Sequence, residues 1–82
     1  MKKELRIKLD EARKTNIYIK NAKEIKRICD RDGCDIGVGY AKWEHEAGIN
    51  WTKEQAYERN EMIKEFQFLC NKLTLNAICE EI

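Results

Sequence analysis

The apolar positions in the last third of the chain recur at intervals of three and four residues. Between residues 52 and 82 this spacing defines a first apolar stripe, formed by Ile63, Phe66, Cys70, Leu73 and Ala77. Such spacing is typical of one face of an α-helix. Neither Pro nor Gly interrupts the segment, and Thr52 with Gln55 matches the Thr-x-x-Gln pattern of a helix capping box. The sequence therefore predicts one long helix over about residues 52–81, in which the weak helix formers Asn71, Thr74 and Asn76 allow a break near Asn71–Asn76.

The same predicted helix carries a second apolar side. Its members are Tyr57, Phe68, Leu75, Ile78 and Ile82. A surface helix of a monomer needs only one apolar stripe, so a second stripe is either covered within the domain or shared with a partner. A chain of 82 residues has few elements with which to cover both sides. We therefore predict a protein-interaction surface at these residues, with burial in the core as the alternative.

The first half of the chain allows two interpretations. In the first, helices run over about residues 2–14 and 22–31, and Gly33 ends the second of them. In the second, alternating β-prone residues over 16–20 and 34–40 form a short sheet. The abundance of charged residues and the absence of Pro favour helices. We predict a mainly α domain with the long C-terminal helix packed on shorter N-terminal helices, and a small α+β domain as the alternative.

Residues 1–82 are predicted to form a single domain. Basic and acidic side chains are distributed unevenly along it. Residues 1–31 carry eleven basic and five acidic side chains, whereas the remainder carries five and ten. All four Gly lie in an irregular segment over residues 32–51, which precedes the acidic and apolar helix over 52–82. In the basic part four cations recur every seven residues: Arg6, Arg13, Lys20 and Arg27. On a continuous helix they would form a ridge that contacts nucleic-acid phosphates.

Four side chains are candidate metal ligands: Cys29, Cys34, His45 and Cys70. Structural zinc sites use four convergent Cys or His, commonly in short pairs such as Cys-x-x-Cys, and the chain lacks this pair. Cys79 is expected on a different face of the long helix from Cys70. His45 lies between two Glu, but no nucleophile or phosphate-binding motif accompanies it. We therefore expect ordinary buried thiols, no catalytic residue, no metal and no cofactor.

The beginning of the chain runs directly into charged residues, and no stretch is apolar for long enough to span a bilayer. We expect a cytoplasmic protein with reduced Cys and no membrane partner. The expected function is a non-enzymatic protein-interaction module, such as an accessory regulator or inhibitor, that binds another protein or a second copy of itself. The alternative is a nucleic-acid-binding module that uses the four cations spaced by seven.

Overall fold

A computed structural model describes residues 2–81, which form six helices. They are α1 (Lys3–Thr15), α2 (Ile17–Lys20), α3 (Ala22–Asp32), α4 (Ile36–Glu46), α5 (Ala56–Leu73) and α6 (Leu75–Glu81). This part of the chain contains no strand, and none of its helices is long and apolar enough to cross a membrane. The prediction of a mainly α domain with a long C-terminal helix is confirmed. The alternative sheet over 16–20 and 34–40 is wrong.

Both segments of that alternative sheet are helical because a polar side chain caps each of them. The Asn16 carboxamide oxygen accepts hydrogen bonds from the backbone N–H groups of Tyr18 and Ile19, at 2.9 and 3.3 Å. The Asp35 carboxylate accepts one from the N–H of Val38, at 2.9 Å. Such bonds satisfy donors that a helix start leaves without a partner. The alternating apolar residues of these segments therefore contribute to helix faces.

The corner between α3 and α4 requires glycine at two positions. Gly33 ends α3 with a φ of +62°, which is the left-handed conformation that glycine adopts without strain. Gly39 lies where α4 packs directly on α3, and a Cβ atom at this position would overlap the sulfur of Cys29. The small residue therefore allows the two helices to approach closely.

The capping box before α5 forms as predicted, although the helix itself begins later. The Thr52 N–H donates to the Gln55 side-chain oxygen at 3.0 Å, and the Gln55 N–H donates to the Thr52 hydroxyl at 3.3 Å. The residues that follow Thr52 form a turn, and α5 begins at Ala56. The capping box therefore orders the approach to α5 rather than its first turn.

The long C-terminal helix is interrupted at Thr74. This residue has a φ of +71°, so α5 ends at Leu73 and a new helix follows. The Thr74 hydroxyl accepts a hydrogen bond from the Ala77 N–H at 3.2 Å, which caps α6. The single helix predicted over residues 52–81 is therefore two helices. The second of them packs against α3 and α5.

The core is centred on the ring of Tyr18, which is fully buried. Its ring centroid lies 5.6 Å from that of Tyr40, 5.7 Å from that of Trp43 and 6.0 Å from that of Phe66. The other buried apolar residues are Leu9, Ala12, Ile19, Ala22, Ile25, Ile28, Ile63, Leu69 and Ile78. Because α5 packs against both α1 and α2, the inner face of α5 closes this core.

Candidate interaction surface

The rotation of α5 about its own axis is fixed by a buried carboxylate on α4. Glu44 is 6% exposed and accepts two hydrogen bonds from the guanidinium of Arg59, from Nε at 2.9 Å and from Nη2 at 2.8 Å. The Tyr18 hydroxyl donates to the same carboxylate at 2.8 Å, and the Trp51 indole N–H donates to it as well. One carboxylate therefore joins α2, α4, α5 and the segment that precedes α5.

The protonation states in this cluster reinforce one another. Burial disfavours the ionised form of Glu44, but the hydrogen bonds from Arg59, Tyr18 and Trp51 outweigh it, so the pKa of Glu44 lies below its ordinary value of 4.5. Burial, followed by the hydrogen bond to Glu44, raises the pKa of Tyr18 well above its usual value. The hydrogen bond to Glu44 likewise raises the pKa of Arg59. At neutral pH the cluster is an ion pair with a protonated phenol beside it.

Asn16 provides a second polar connection to α5. Its side chain is fully buried, and its carboxamide N–H group donates to the backbone oxygen of Met62 at 2.8 Å and to the Glu65 carboxylate at 2.9 Å. The oxygen of the same carboxamide caps α2. Within residues 2–81, every buried side-chain nitrogen or oxygen has a hydrogen-bond partner. The two connections, at Glu44 and Asn16, determine which face of α5 points outward.

The outward face of α5 carries an exposed stripe with two aromatic residues at its ends. This outer stripe consists of Tyr57, Glu61, Lys64 and Phe68. The spacing of four, three and four residues places all four within roughly 60° of one another around the helix axis, opposite the buried Phe66. Tyr57 is 73% exposed and Phe68 is 41% exposed. Exposed aromatic side chains of this size are typical of surfaces that bind another protein.

A groove between α1 and α5 lies beside the Phe68 end of the outer stripe. It has a volume of about 430 Å³, and Lys8, Met62 and Leu69 contribute to its walls. The Lys8 ammonium lies 4.7 Å from the centre of the Phe68 ring, and the Lys72 ammonium lies 5.8 Å from it. These cation–π contacts hold Phe68 at the edge of the groove. The surface at this end therefore combines an aromatic ring, an apolar floor and positive charge.

The residues of the predicted interaction surface do not all lie on one exposed face. Tyr57 and Phe68 are exposed, whereas Leu75 is half-buried against the core. Ile78 is fully buried, so it belongs to the core and not to a free surface. The reason is the break at Thr74, after which α6 packs on α3. Ile82 lies outside the described residues.

The four cations spaced by seven do not form a continuous ridge, because they are distributed over three helices. They are Arg6 and Arg13 on α1, Lys20 on α2 and Arg27 on α3. Arg6 is paired with Glu81 at 2.8 Å, Arg27 with Glu24 at 2.9 Å and Arg13 with Asp10 at 3.7 Å. Much of the positive charge that would attract phosphate is therefore balanced within the chain.

The candidate metal ligands do not converge. Within residues 2–81, no group of three or more His, Cys, Asp or Glu side chains is placed to hold a metal ion. His45 is exposed on α4, and the thiol of Cys70 faces the core, where burial raises its pKa to about 12. Cys70 lies on α5, whereas Cys79 lies beyond the break at Thr74 on α6.

Several residues that shape the surface are not identified by the sequence pattern. Glu44 is conspicuous in sequence only as a neighbour of His45, and Asn16 only as a polar residue beside an apolar run. Glu44 follows the buried Trp43 and lies four residues after Tyr40, so it lies on the inward side of α4. Once residues 36–46 are recognised as a helix, the helical spacing identifies Glu44 as an inward-facing carboxylate.

The chain matches no protein-family model, no curated protein and no solved structure. A functional proposal therefore depends on the surface of this chain alone.

Proposed function

We propose that this protein is a non-enzymatic interaction module that binds a second copy of itself through the outer stripe of α5. The observation that carries the proposal is the order of side chains along that stripe, which is Tyr57, Glu61, Lys64 and Phe68. Two exposed aromatic residues enclose one negative and one positive charge. An accessory regulator or inhibitor can act through such a surface without chemistry of its own.

The outer stripe is complementary to itself when two copies of α5 lie antiparallel. In that arrangement Tyr57 faces Phe68 of the second copy, and Glu61 faces Lys64 of the second copy. Both pairs share one midpoint, between Met62 and Ile63, so a single two-fold axis satisfies both. A two-fold interface of this kind uses the same patch on both subunits. Opposite charges in its centre favour the antiparallel register over a parallel one, because a parallel register places like charges side by side.

The groove beside Phe68 supports this arrangement. An incoming Tyr57 from the second copy reaches the end of the stripe where Phe68 and Met62 offer aromatic and apolar surface. Aromatic pairs contribute roughly 0.5–1.5 kcal/mol beyond the apolar area that they bury. The stripe is short, since the twelve residues from Tyr57 to Phe68 span about 16 Å of helix. Its interface is smaller than the roughly 1,200 Å² of a stable complex, so we expect weak association, on the order of micromolar.

Sedimentation over a range of protein concentrations tests the proposal. We expect the wild-type protein to self-associate, and Phe68→Ser and Tyr57→Ser to remain monomeric. Circular dichroism and thermal unfolding of each variant show whether the monomer is folded, which is expected because both side chains are exposed. A wild-type protein that remains monomeric at concentrations far above micromolar would overturn the proposal.

Reversal of a charge tests the antiparallel register of the two helices, which truncation of an aromatic residue does not test. Glu61→Lys alone places like charges opposite Lys64 of the second copy, and Lys64→Glu alone does the same opposite Glu61, so each should weaken association. The double variant Glu61→Lys/Lys64→Glu restores opposite charges across the axis and should recover it. Glu58→Lys makes the same change on an exposed position of α5 outside the outer stripe, and should have little effect. Failure of the double variant to recover association contradicts the antiparallel register.

A further inference from the structure

The turn at the end of α3 joins Cys29 and Cys34 through a backbone hydrogen bond. The Cys34 N–H donates to the backbone oxygen of Cys29 at 3.2 Å, across the left-handed Gly33. This is the six-to-one hydrogen bond of a Schellman motif, in which the side chains of the first and last residues commonly contact each other. A disulfide needs a Cα separation of roughly 4.4–6.8 Å, so its two residues must be close neighbours in space. The hydrogen bond across Gly33 makes Cys29 and Cys34 such neighbours.

The Cys29 thiol is held in a defined position beside this turn. Burial, followed by the charge of Cys34, raises the pKa of Cys29 to about 11. The Cys29 sulfur lies 3.5 Å from the backbone oxygen of Asp35, to which its S–H donates. Both Cys are half-buried and so remain reachable from solvent. Because the raised pKa and the hydrogen bond to Asp35 keep the Cys29 thiol protonated, Cys34 is the thiol that reacts first with a small disulfide.

We propose that Cys29 and Cys34 form a reversible dithiol–disulfide site, oxidised by a low-molecular-weight disulfide of the glutathione type. The Cys34 thiolate attacks one sulfur of that disulfide, which forms a mixed disulfide and releases one small thiolate. Cys29 loses its proton to water and attacks the Cys34 sulfur, which closes the protein disulfide and releases the second small thiolate. Two protein thiols are oxidised and one small disulfide is reduced to two thiols, and excess small thiol reverses both steps.

The remaining two Cys form a competing pair on two other helices. Cys70 on α5 packs against the core, and burial raises its pKa to about 12, so its thiolate is scarce. Cys79 on α6 also packs against the core, and burial raises its pKa. We expect these thiols to react far more slowly than Cys29 and Cys34. The proposed site can therefore be identified both by where the disulfide lies in the sequence and by the number of thiols that are lost.

Peptide mapping of the folded protein tests the site. The protein is incubated with excess oxidised glutathione at mildly alkaline pH, quenched in acid and digested with trypsin without reduction. Cleavage after Lys and Arg places each Cys in its own peptide, covering residues 28–31, 32–42, 65–72 and 73–82. We expect one cross-linked species that joins 28–31 to 32–42, and a decrease from four free thiols to two. Excess reduced glutathione should restore all four.

Two variants serve as controls. Cys70→Ser/Cys79→Ser retains both residues of the proposed site and should give the same cross-link at the same rate. Cys34→Ser should give none, and Cys29→Ser should stop at a glutathione adduct on Cys34. Circular dichroism identifies any variant that fails to fold. A cross-link that joins 65–72 to 73–82, or a wild-type glutathione adduct on Cys34 that never resolves, would overturn the proposal.

Discussion

Glu44 and Arg59 form a two-point ion pair that joins α4 to α5, with nitrogen–oxygen separations of 2.9 and 2.8 Å. Two parallel hydrogen bonds fix orientation as well as distance, because both planar groups must lie in register. The carboxylate is buried, whereas the guanidinium side chain is 30% exposed. The ion pair holds one side of α5 against the core and thereby exposes the opposite side, which carries Tyr57 and Phe68.

Replacement of Glu44 by Gln is expected to lower the free energy of unfolding by about 2–4 kcal/mol. The change leaves the Arg59 guanidinium half-buried without a counter-charge, and the new amide N–H₂ faces hydrogen-bond donors. Urea unfolding followed by circular dichroism measures the loss.

Glu46→Gln is the matched control, because Glu46 is exposed and pairs with Arg31 at the surface. It should change the free energy by less than about 1 kcal/mol. Equal losses for the two variants would contradict a structural role of Glu44.

Acidification is expected to weaken the fold through the same carboxylate. The pKa of Glu44 is lowered on folding, so its contribution to stability is complete above the unfolded value of 4.5 and is lost as pH falls below that value. Unfolding free energies measured from pH 7 to pH 3 should decrease less steeply for Glu44→Gln than for the wild type. Parallel pH profiles for the two proteins would show that Glu44 does not have a lowered pKa.

Asn16→Ala is expected to cost about 2–3 kcal/mol, because it removes the cap of α2 and leaves a backbone oxygen of α5 without its buried donor. Thermal unfolding should show a lower midpoint for this variant. Asn50→Ala, at an exposed position of the segment before α5, is the control and should have little effect. A small effect of Asn16→Ala would mean that water replaces the carboxamide in the core.

Gly39→Ala is expected to destabilise the protein by about 1–3 kcal/mol, because the added methyl group overlaps the sulfur of Cys29. Gly37→Ala on the same helix is the matched control. A Cβ there meets only the Asp35 carboxylate at an ordinary 3.5 Å, so it should stabilise by roughly 0.5–1 kcal/mol. The double variant Gly39→Ala/Cys29→Ala removes the overlapping atom and should recover part of the loss. Additive effects would place the two groups out of contact.

Local signals in the sequence are sufficient to predict much of the helical fold. The spacing of apolar residues predicts α3 and most of α5, and Gly33 ends α3 as expected. The strand alternative at 34–40 is wrong because Ile36 and Tyr40 also satisfy the four-residue spacing of a helix. The weak helix formers between Asn71 and Asn76 indicate that a break is possible there, but the positive φ that places it at Thr74 leaves no mark in the hydrophobic pattern. That single torsion decides whether Ile78 lies on the surface or in the core.

The candidate surface is only partly predictable for a related reason. The helical period identifies Tyr57 and Phe68 as lying away from the first apolar stripe. The same period places Glu61 and Lys64 beside them. Whether that face points outward depends on the rotation of α5, which is set by Glu44 and Asn16 from distant parts of the chain. The pairing of Cys29 with Cys34 likewise depends on a Schellman motif.

The late position of Phe66 in the chain has a consequence for synthesis. Its ring stacks on Tyr18, and the aromatic pair is completed only when α5 has left the ribosome. Until then the side chains of Tyr18 and Ile19 lack the cover that α5 provides. This domain is therefore expected to complete its folding only after α5 has been synthesised, and nascent chains stalled before α5 should be captured readily by chaperones.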